Sequence, residues 1–363
     1  MNRENAIAKF EHFFRSITPE DKVAVIHHTD PDGVCSGVIA AKLVERLRGR
    51  RVDLRYNQRS DEHYLKERTL HLLHQRGINK VIFTDLSIDE KIEPLKKLEA
   101  FAQLLVLDHH KIINDISSKQ TVLVNSSFVS KIPSAKYCAA KLVYDLGKRL
   151  VDISDLDWVA AVGVIGDMGG DVWSDWLAKV FRKYNLTPTK DWFHTPLGKV
   201  SAILSAAESY NDRQNVPLCF KTVYTAKNYK DIMKSQLLRF KKAVEGELSK
   251  WLKLLKKQAV VTPDYVLFMV VPRYNIKASL STILSLQFPH KTIVVYELRG
   301  QYFHVSARRR DGKKDMSHLM KASTSELVGA SAGGHVPAAG ATVRTVDFSK
   351  FLKKLIALLQ HQN

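Results

Sequence analysis

Five short runs of β-branched and leucine residues, at 22–26 (KVAVI), 52–56, 80–84 (KVIFT), 104–107 and 121–124, punctuate the first third of the chain. The stretches between them carry apolar residues at helical spacing over 36–47, 61–75 and 89–103, and a further helix over 135–149 follows Ser134 as an N-cap. Strands that alternate with helices read as a parallel sheet with crossover helices. Ser154, with Asp157 three residues on, opens another helix that the glycine-rich end of VIGDMGGD closes, so the α/β block reaches to about residue 190.

Beyond it, strand alternation fades to one weak run at 220–224, and 229–258 reads as one long helix. Between Lys234 and Lys257 that helix carries eight Lys or Arg against Glu245 and Glu247, a stripe that suits either solvent or phosphate. A strand over 265–271, a helix near 279–286 and strands over 291–296 and 302–307 then describe a second, smaller α/β block. The expected plan is a domain over 1–195, a helical connector over 196–258 and a second domain over 259–363.

Composition narrows this picture. Of 363 residues, 45% are hydrophobic and 26% charged, which excludes a disordered or collagen-like chain and a disulfide-stapled miniprotein. The 56 Lys and Arg against 37 Asp and Glu give a net charge of +19, which favours a polyanionic partner, nucleic acid or an acidic membrane surface. Cys35, Cys138 and Cys219 are too widely spaced for a disulfide framework or a cysteine zinc site, and a reducing cytoplasm is expected. The opening MNRENAIAKFEHFF carries charges where a signal peptide needs an apolar core, and no apolar run approaches about 18 residues, so no membrane partner is expected.

The candidate chemistry sits where the strands end. KVAVIHHTDPDG places His28, Asp30 and Asp32 after the first strand; KVIFTD places Asp85, and LLVLDHH places Asp108, His109 and His110. Ligands of open parallel sheets sit beyond the carboxyl ends of the strands, so these residues can converge although they lie far apart in sequence. Asp167, in VGVIGDMGGD, can join them from a helix end. Asp-Pro-Asp-Gly alone is also a good turn, and an Asp after a strand is a common helix N-cap. Four such segments on one sheet favour cations, because crowded carboxylates repel unless cations sit among them. Carboxylate with imidazole and no thiolate suits Mn²⁺ better than Ca²⁺ or structural Zn²⁺, and a shared carboxylate suggests two ions, with Mg²⁺ as the substitute. Cys35, beside the first motif, reads as a small buried packing residue. His27, His63, His194, His304 and His318 have no motif context, and the five tryptophans read as core or interface.

With these residues in place the sequence resembles the DHH phosphoesterases, whose naming motif is present as Asp108-His109-His110. His28-Thr29-Asp30-Pro31-Asp32-Gly33, followed by Ser36 and Gly37, is similar to the family's first motif, Asp85 to its second and Gly166-Asp167 to its fourth. Near the other end, Gly333-Gly334-His335 with Ala338-Ala339-Gly340, preceded by Ser306 and Arg308, resembles the DHH-associated substrate domain. The His-x-Asp-x-Asp spacing is similar to the RecJ-like branch; the pyrophosphatase branch has His four residues before the first Asp, where Ile26 stands here. One departure is Asn125-Ser126-Ser127, where the family often has Asn-Pro.

The resemblance implies an N-terminal parallel-sheet DHH domain and a C-terminal α/β substrate domain. It implies one ion on His28, Asp30 and Asp85 and another on Asp32, Asp85, His109 and Asp167, with Asp85 shared. His110 would contact a phosphoryl or leaving oxygen, and Asp108 would orient an imidazole. Ser306, Arg308, Gly333, Gly334 and His335 would hold the substrate. The expected activity is a manganese-dependent exonuclease that releases nucleoside 5′-monophosphates from single-stranded DNA, RNA or short oligonucleotides. The alternatives are a phosphodiesterase or phosphatase for cyclic dinucleotides or 3′-phosphoadenosine 5′-phosphate, and a non-catalytic replication or repair scaffold. A replication or repair partner and a homo-oligomer remain open.

Overall fold

A computed structural model describes residues 3–58 and 65–360, which fall into two compact units meeting at Lys241 and Lys242. In the first unit, β1 (Val23–His27), β2 (Leu54–Asn57), β3 (Lys80–Thr84), β4 (Gln103–Asp108) and β5 (Thr121–Asn125) form one sheet in the order β2-β1-β3-β4-β5. Every neighbouring pair is parallel. Strand residues alternate between two cores, as a strand's period of two requires. Val23, Val25, Ile82, Leu105, Leu107 and Val124 face one core, whereas Ala24, Ile26, Val81, Phe83, Leu104, Val106 and Leu123 face the other. Both faces are covered, which is why these strands read as continuous apolar runs.

The helices that cover the sheet follow from the pattern between the strands. On the first face lie α1 (Arg3–Arg15) and α2 (Pro31–Arg48), and on the second α3 (Glu67–Gln75) and α4 (Glu93–Glu99). The helix expected over 61–75 begins outside the described residues, as does His63. The short α5 (Ser126–Val129) is capped by the Asn125 side chain, so Asn125-Ser126-Ser127 still makes a sharp turn. Then come α6 (Ala139–Gly147), α7 (Asp157–Gly166), α8 (Ser174–Lys183), α9 (Pro196–Tyr210), α10 (Asp212–Thr225) and α11 (Tyr229–Met233). Ser134 opens only a 3₁₀ turn, and α6 starts at Ala139 after Cys138.

Three expectations change here. The run at 220–224 is helical, part of α10, with Phe220 and Val223 buried at helical spacing. The helix expected over 229–258 is two, α11 and α12 (Leu238–Gln258); an Asn228 capping box opens the first, and the chain breaks before Leu237, which is fully buried. Residues 196–240 are no free connector, because Leu197, Val200, Ile203, Val216, Phe220, Ile232 and Phe240 belong to the first unit's core. Burial of those side chains ties the stretch to the first unit, although it lacks the strand alternation of the block before it.

In the second unit, β6 (Val260–Val261), β7 (Tyr265–Val270), β8 (Thr292–Arg299), β9 (Tyr302–Arg308), β10 (Ser331–His335) and β11 (Ala338–Arg344) form a mixed sheet. Its order is β10-β11-β9-β8-β7-β6, with only β7 and β8 parallel. Of its helices, α13 (Lys277–Gln287) crosses between those two, while α14 (Met316–Thr324) and α15 (Phe348–Gln360) share a core with Val305, Ala307 and Val343. Among the described residues no helix is long and apolar enough to cross a membrane.

Trp158 is the largest fully buried side chain and lies on α7, which carries Asp167 at its end. Trp158→Ala is expected to lower the stability of the first unit by about 3–5 kcal/mol. Guanidinium unfolding followed by tryptophan fluorescence and by proteolysis of each unit checks this, and the second unit's transition stays in place.

Candidate metal centre

Strand ends and helix starts assemble the centre. Asp30 caps α2, accepting the Gly33 N–H through Oδ1 at 2.8 Å. The first turn of α2 passes so close to His28 that a Cβ on Gly33 would lie 2.5 Å from the His28 Cβ, which is why glycine stands there. Asp85 leaves β3 with φ at 61°, a left-handed conformation in which Asp is among the tolerated residues. Its amide donates to the Leu107 carbonyl at 3.0 Å, which ties the turn to β4. Met168, the residue after Asp167, also has positive φ. Such backbones cost about 1–3 kcal/mol and collect at functional sites.

Three groups of ligand-type atoms result, each within 4.8 Å of one another: His28, Asp30 and Asp85; Asp85, His109 and His110; and Asp32, Cys138 and Asp167. The first two share Asp85. His28 Nδ1 lies 3.2 Å from Asp30 Oδ2 and 3.5 Å from Asp85 Oδ2. His109 Nε2 lies 3.2 Å from Asp85 Oδ1, and His109 Nδ1 3.6 Å from Asp167 Oδ2.

Whether this set fits cations turns on where its lone pairs point. His28 Nδ1, Asp85 Oδ2 and Asp167 Oδ2 are buried and make no hydrogen bond, although His28 Nδ1 and Asp85 Oδ2 are near neighbours. A buried polar atom without a partner costs about 1–3 kcal/mol, and a divalent ion removes that cost. His109 Nδ1 sits 3.1 Å from the Ser134 carbonyl, so its N–H donates there and, in the neutral ring, the Nε2 lone pair is left for a cation. The residues fit two oxygen- and nitrogen-bound divalent ions.

Asp32 is held differently. Its two oxygens accept the Ala139 and Ala140 N–H groups at the start of α6, at 2.8 and 2.9 Å. Each oxygen keeps a second lone pair for a cation. His110 Nδ1 donates to Asp108 Oδ1 at 2.8 Å, and the Asn125 amide donates to the His110 carbonyl at 2.9 Å. This leaves His110 Nε2 as the outward group of a half-exposed ring.

Charge explains the protonation. Burial pushes the Asp32 carboxyl well above the ordinary range, and Asp85 and Asp167 push it further. Burial, opposed by His109 and reinforced by Asp85, brings Asp167 up to about 7. Burial lowers the affinity of His28 for a proton, but Asp30 and Asp85 outweigh it and hold the imidazole well above its usual value. At His109, burial is likewise outweighed by Asp85, Asp167 and Asp32. Protons thus take the place of positive charge. Cys35 and Cys138 are buried and their thiols are driven far upward, so Cys35 packs as expected and is no nucleophile. His27 is a core residue stacked on Phe220 and pushed down to about 3 by burial, then by Arg55.

Sequence reasoning missed two residues. Thr29, inside the first motif, donates its hydroxyl to Glu208 Oε1 at 2.6 Å. Glu208 lies on α9, in the stretch expected to be a connector, so no local pattern marks it. Burial, and then Asp30, brings its carboxyl up to about 7.

In the second unit, Ala338 of β11 pairs with Arg308 on one side and His335 on the other, and Gly340 pairs with Ser306 and Gly333. Arg308, Ser306, Gly333 and His335 therefore lie on one face of three adjacent strands, whereas Gly334 points to the other. Gly334 has φ 138°, and a Cβ there would lie 2.5 Å from the Ala338 carbonyl oxygen; space at Gly333 is open. Arg308 Nε is buried and unpartnered, and burial, then Arg310, pulls its affinity for a proton down. Ser306 Oγ meets Ser281 Oγ at 2.9 Å. Of the basic residues nearby, Arg309 pairs with Asp311 and Lys314 donates to the Leu359 carbonyl, so both are internal ties.

A doubly wound parallel sheet with a carboxylate–imidazole centre on its carboxyl edge, followed by a mixed-sheet unit, defines a class of two-part α/β protein. Residues 22–162 match the model of the DHH family, N-terminal domain. An uncharacterized protein of Methanocaldococcus jannaschii is 30% identical over 149 residues, 40% of this chain and 33% of that protein. The matched stretch thus spans a third of that relative's length. Among solved structures, the DHH domain of a member of the s1p family of ribosomal proteins has a TM-score of 0.74 at 17% identity, covering 98% of this chain and 91% of that one. RecJ from Thermus thermophilus in complex with Mn²⁺ gives 0.69 at 14% identity, covering 98% and 54%. A pGpG-specific phosphodiesterase, PggH from Vibrio, gives 0.53 at 13%, covering 94% and 100%. At these identities the likeness to solved structures is one of fold.

Metal binding is expected to release protons. His28 and His109, held above their ordinary values, are protonated at neutral pH without metal, and Asp167 is partly so; ligation requires the unprotonated forms. Affinity for Mn²⁺ therefore rises with pH and proton release shrinks as pH rises. Calorimetric titrations at about pH 6.5 and about pH 8.5, in buffers of different ionisation enthalpy, measure it. Proton release that is zero at both values contradicts the assignment.

Proposed function

We propose that this chain is a metal-dependent phosphodiesterase acting as an exonuclease on single-stranded DNA or RNA and short oligonucleotides, releasing nucleoside 5′-monophosphates. The observation that carries the reading is the set of buried ligand atoms of His28, Asp85 and Asp167 that make no hydrogen bond, in residues that belong to clusters of ligand-type atoms. His28, Asp30 and Asp85 would hold one divalent ion, and Asp32, Asp85, His109 and Asp167 the other, Mn²⁺ or Mg²⁺. When bound, such ions activate water and neutralise charge on the phosphoryl oxygens.

The chain's own residues supply the rest. Asp108 fixes the His110 ring through Nδ1 and, with burial opposed, holds its imidazole above the ordinary value. His110 therefore presents an Nε2–H donor to a phosphoryl or leaving oxygen. In the second unit, Arg308 is a desolvated cation with an unused donor, which suits a phosphate; Ser306, His335 and the cleared backbone at Gly333 and Gly334 complete a substrate surface. The +19 net charge supports a polymer over a small free phosphate. The first unit, to Lys241, and the second, from Lys242, thus act as catalytic and substrate-binding parts.

The likeness of fold to a pGpG-specific phosphodiesterase favours a second reading, a small-nucleotide diesterase using the same centre. One experiment separates them: 5′- and 3′-end-labelled DNA and RNA strands with Mn²⁺, Mg²⁺ or EDTA, beside pGpG and 3′-phosphoadenosine 5′-phosphate. Mononucleotides released processively from labelled strands support the nuclease, and turnover confined to the small nucleotides overturns it.

Asp85→Asn keeps the left-handed backbone while removing the charge, and is expected to abolish turnover in a folded protein. More than a few per cent of residual activity would sink the shared-ligand assignment. Arg308→Ala is expected to lower kcat/KM by about 10- to 150-fold, the equivalent of about 1.5–3 kcal/mol, with Mn²⁺ stoichiometry unchanged. Affinity for a single strand is expected to fall with salt with a log–log slope of about −0.7 per phosphate contacted. Fluorescence anisotropy across salt concentrations reads that slope.

A further inference from the structure

The turn from His28 to Asp30 is held residue by residue from different directions. The His28 amide donates to the Thr84 carbonyl of β3 at 3.3 Å, and the His28 carbonyl lies 2.6 Å from His27 Nδ1. Asp30 is committed through Oδ1 to the cap of α2, leaving Oδ2 toward His28. Thr29 is buried, and its hydroxyl reaches out of the β1–α2 unit altogether, to Glu208 on α9. At 2.6 Å this is a short hydroxyl-to-carboxylate bond, of the stronger, charge-assisted kind.

Helix α9 does not need that bond to dock, because Leu197, Val200, Ile203, Leu204 and Ala207 already bury it in the first core. The turn has no such redundancy. His28 and Asp30 flank Thr29, and a rotation of the backbone at Thr29 swings one of their side chains away from the space the other faces.

We propose that Glu208 is a positioning residue for one of the two metal ions: through Thr29 it holds the His28–Asp30 turn so that imidazole and carboxylate face the same ion. The inference rests on the metal-centre reading above and assigns a task to a residue outside all the motifs. In the second group, Asp32 is held by the Ala139 and Ala140 amides and His109 by the Ser134 carbonyl, ties separate from the Thr29–Glu208 bond.

Mn²⁺ titration of the full-length protein, followed by electron paramagnetic resonance, resolves the two binding steps and the coupled two-ion spectrum. Thr29→Val and Glu208→Ala are expected to weaken one step by about 10- to 100-fold, the usual effect of losing a partner behind a ligand, and to leave the other unchanged. Thr29→Ser and Glu208→Gln, which keep a donor and an acceptor, restore binding. The metal-free unfolding midpoint stays at the wild-type value in all four. Wild-type affinity at both steps in Thr29→Val and Glu208→Ala overturns the strap while the metal centre stands. Equal weakening of both steps with a lowered metal-free midpoint overturns it in favour of a structural tie. Failure of the wild-type protein to bind two Mn²⁺ ions overturns the metal-centre reading, and the strap with it.

Discussion

Like charges brought together in a buried place are the constraint on which the rest of the first unit depends. Asp30, Asp32, Asp85, Asp108 and Asp167 gather at one edge of the sheet, and two unit charges about 4 Å apart repel by about 4 kcal/mol even at an effective dielectric constant of about 20. A few such pairs would consume most of the roughly 5–15 kcal/mol by which a domain is stable. The surrounding structure answers by supplying positive ends: backbone N–H groups of α6 to Asp32, the first turn of α2 to Asp30, and imidazoles to Asp85 and Asp108. What those groups leave uncompensated is negative charge that protons or a metal ion could meet.

The strands of the first sheet were legible because both of their faces are buried, which makes each a dense apolar run ending where the polar residues begin. The same reasoning named His28, Asp30, His109 and His110, whose ligand atoms lie within 4.8 Å of those of Asp85, since strand-end chemistry needs only the topology to bring it together. What it could not see is carried by contacts with no sequence period. The Ser134 carbonyl that fixes the His109 tautomer is a backbone atom, and the Ala139 and Ala140 amides that hold Asp32 are invisible in residue type. Glu208 went unnoticed because its helix lies in a stretch without strand alternation that read as a connector. The run at 220–224 misled because Phe220 and Val223, three apart on a helix, lie among other apolar residues that imitate a strand.

The second unit shows a different economy. Its glycine motif lies on paired strands, with β11 serving as the shared neighbour that aligns Arg308 with His335 and Ser306 with Gly333. Gly334 is required by the chain's own backbone, where any side chain meets the Ala338 carbonyl, whereas Gly333 opens onto free space. Two adjacent glycines thus have separate causes, one internal and one facing outward. The excess of basic side chains divides in the same way, since Arg309 and Lys314 are tied inward and Arg308 alone of this group keeps a buried donor unused.

The left-handed backbone at Asp85 has a consequence for how such a chain evolves. The residues that tolerate this conformation best are Gly, Asn and Asp. In the genetic code, both Asn and Gly are a single base change from Asp. The substitutions that would empty the centre of its shared ligand are therefore also the ones that leave the turn after β3 unstrained. Chemistry and foldability part company at this position: a lineage can lose the one in a single mutational step while selection for the other registers nothing.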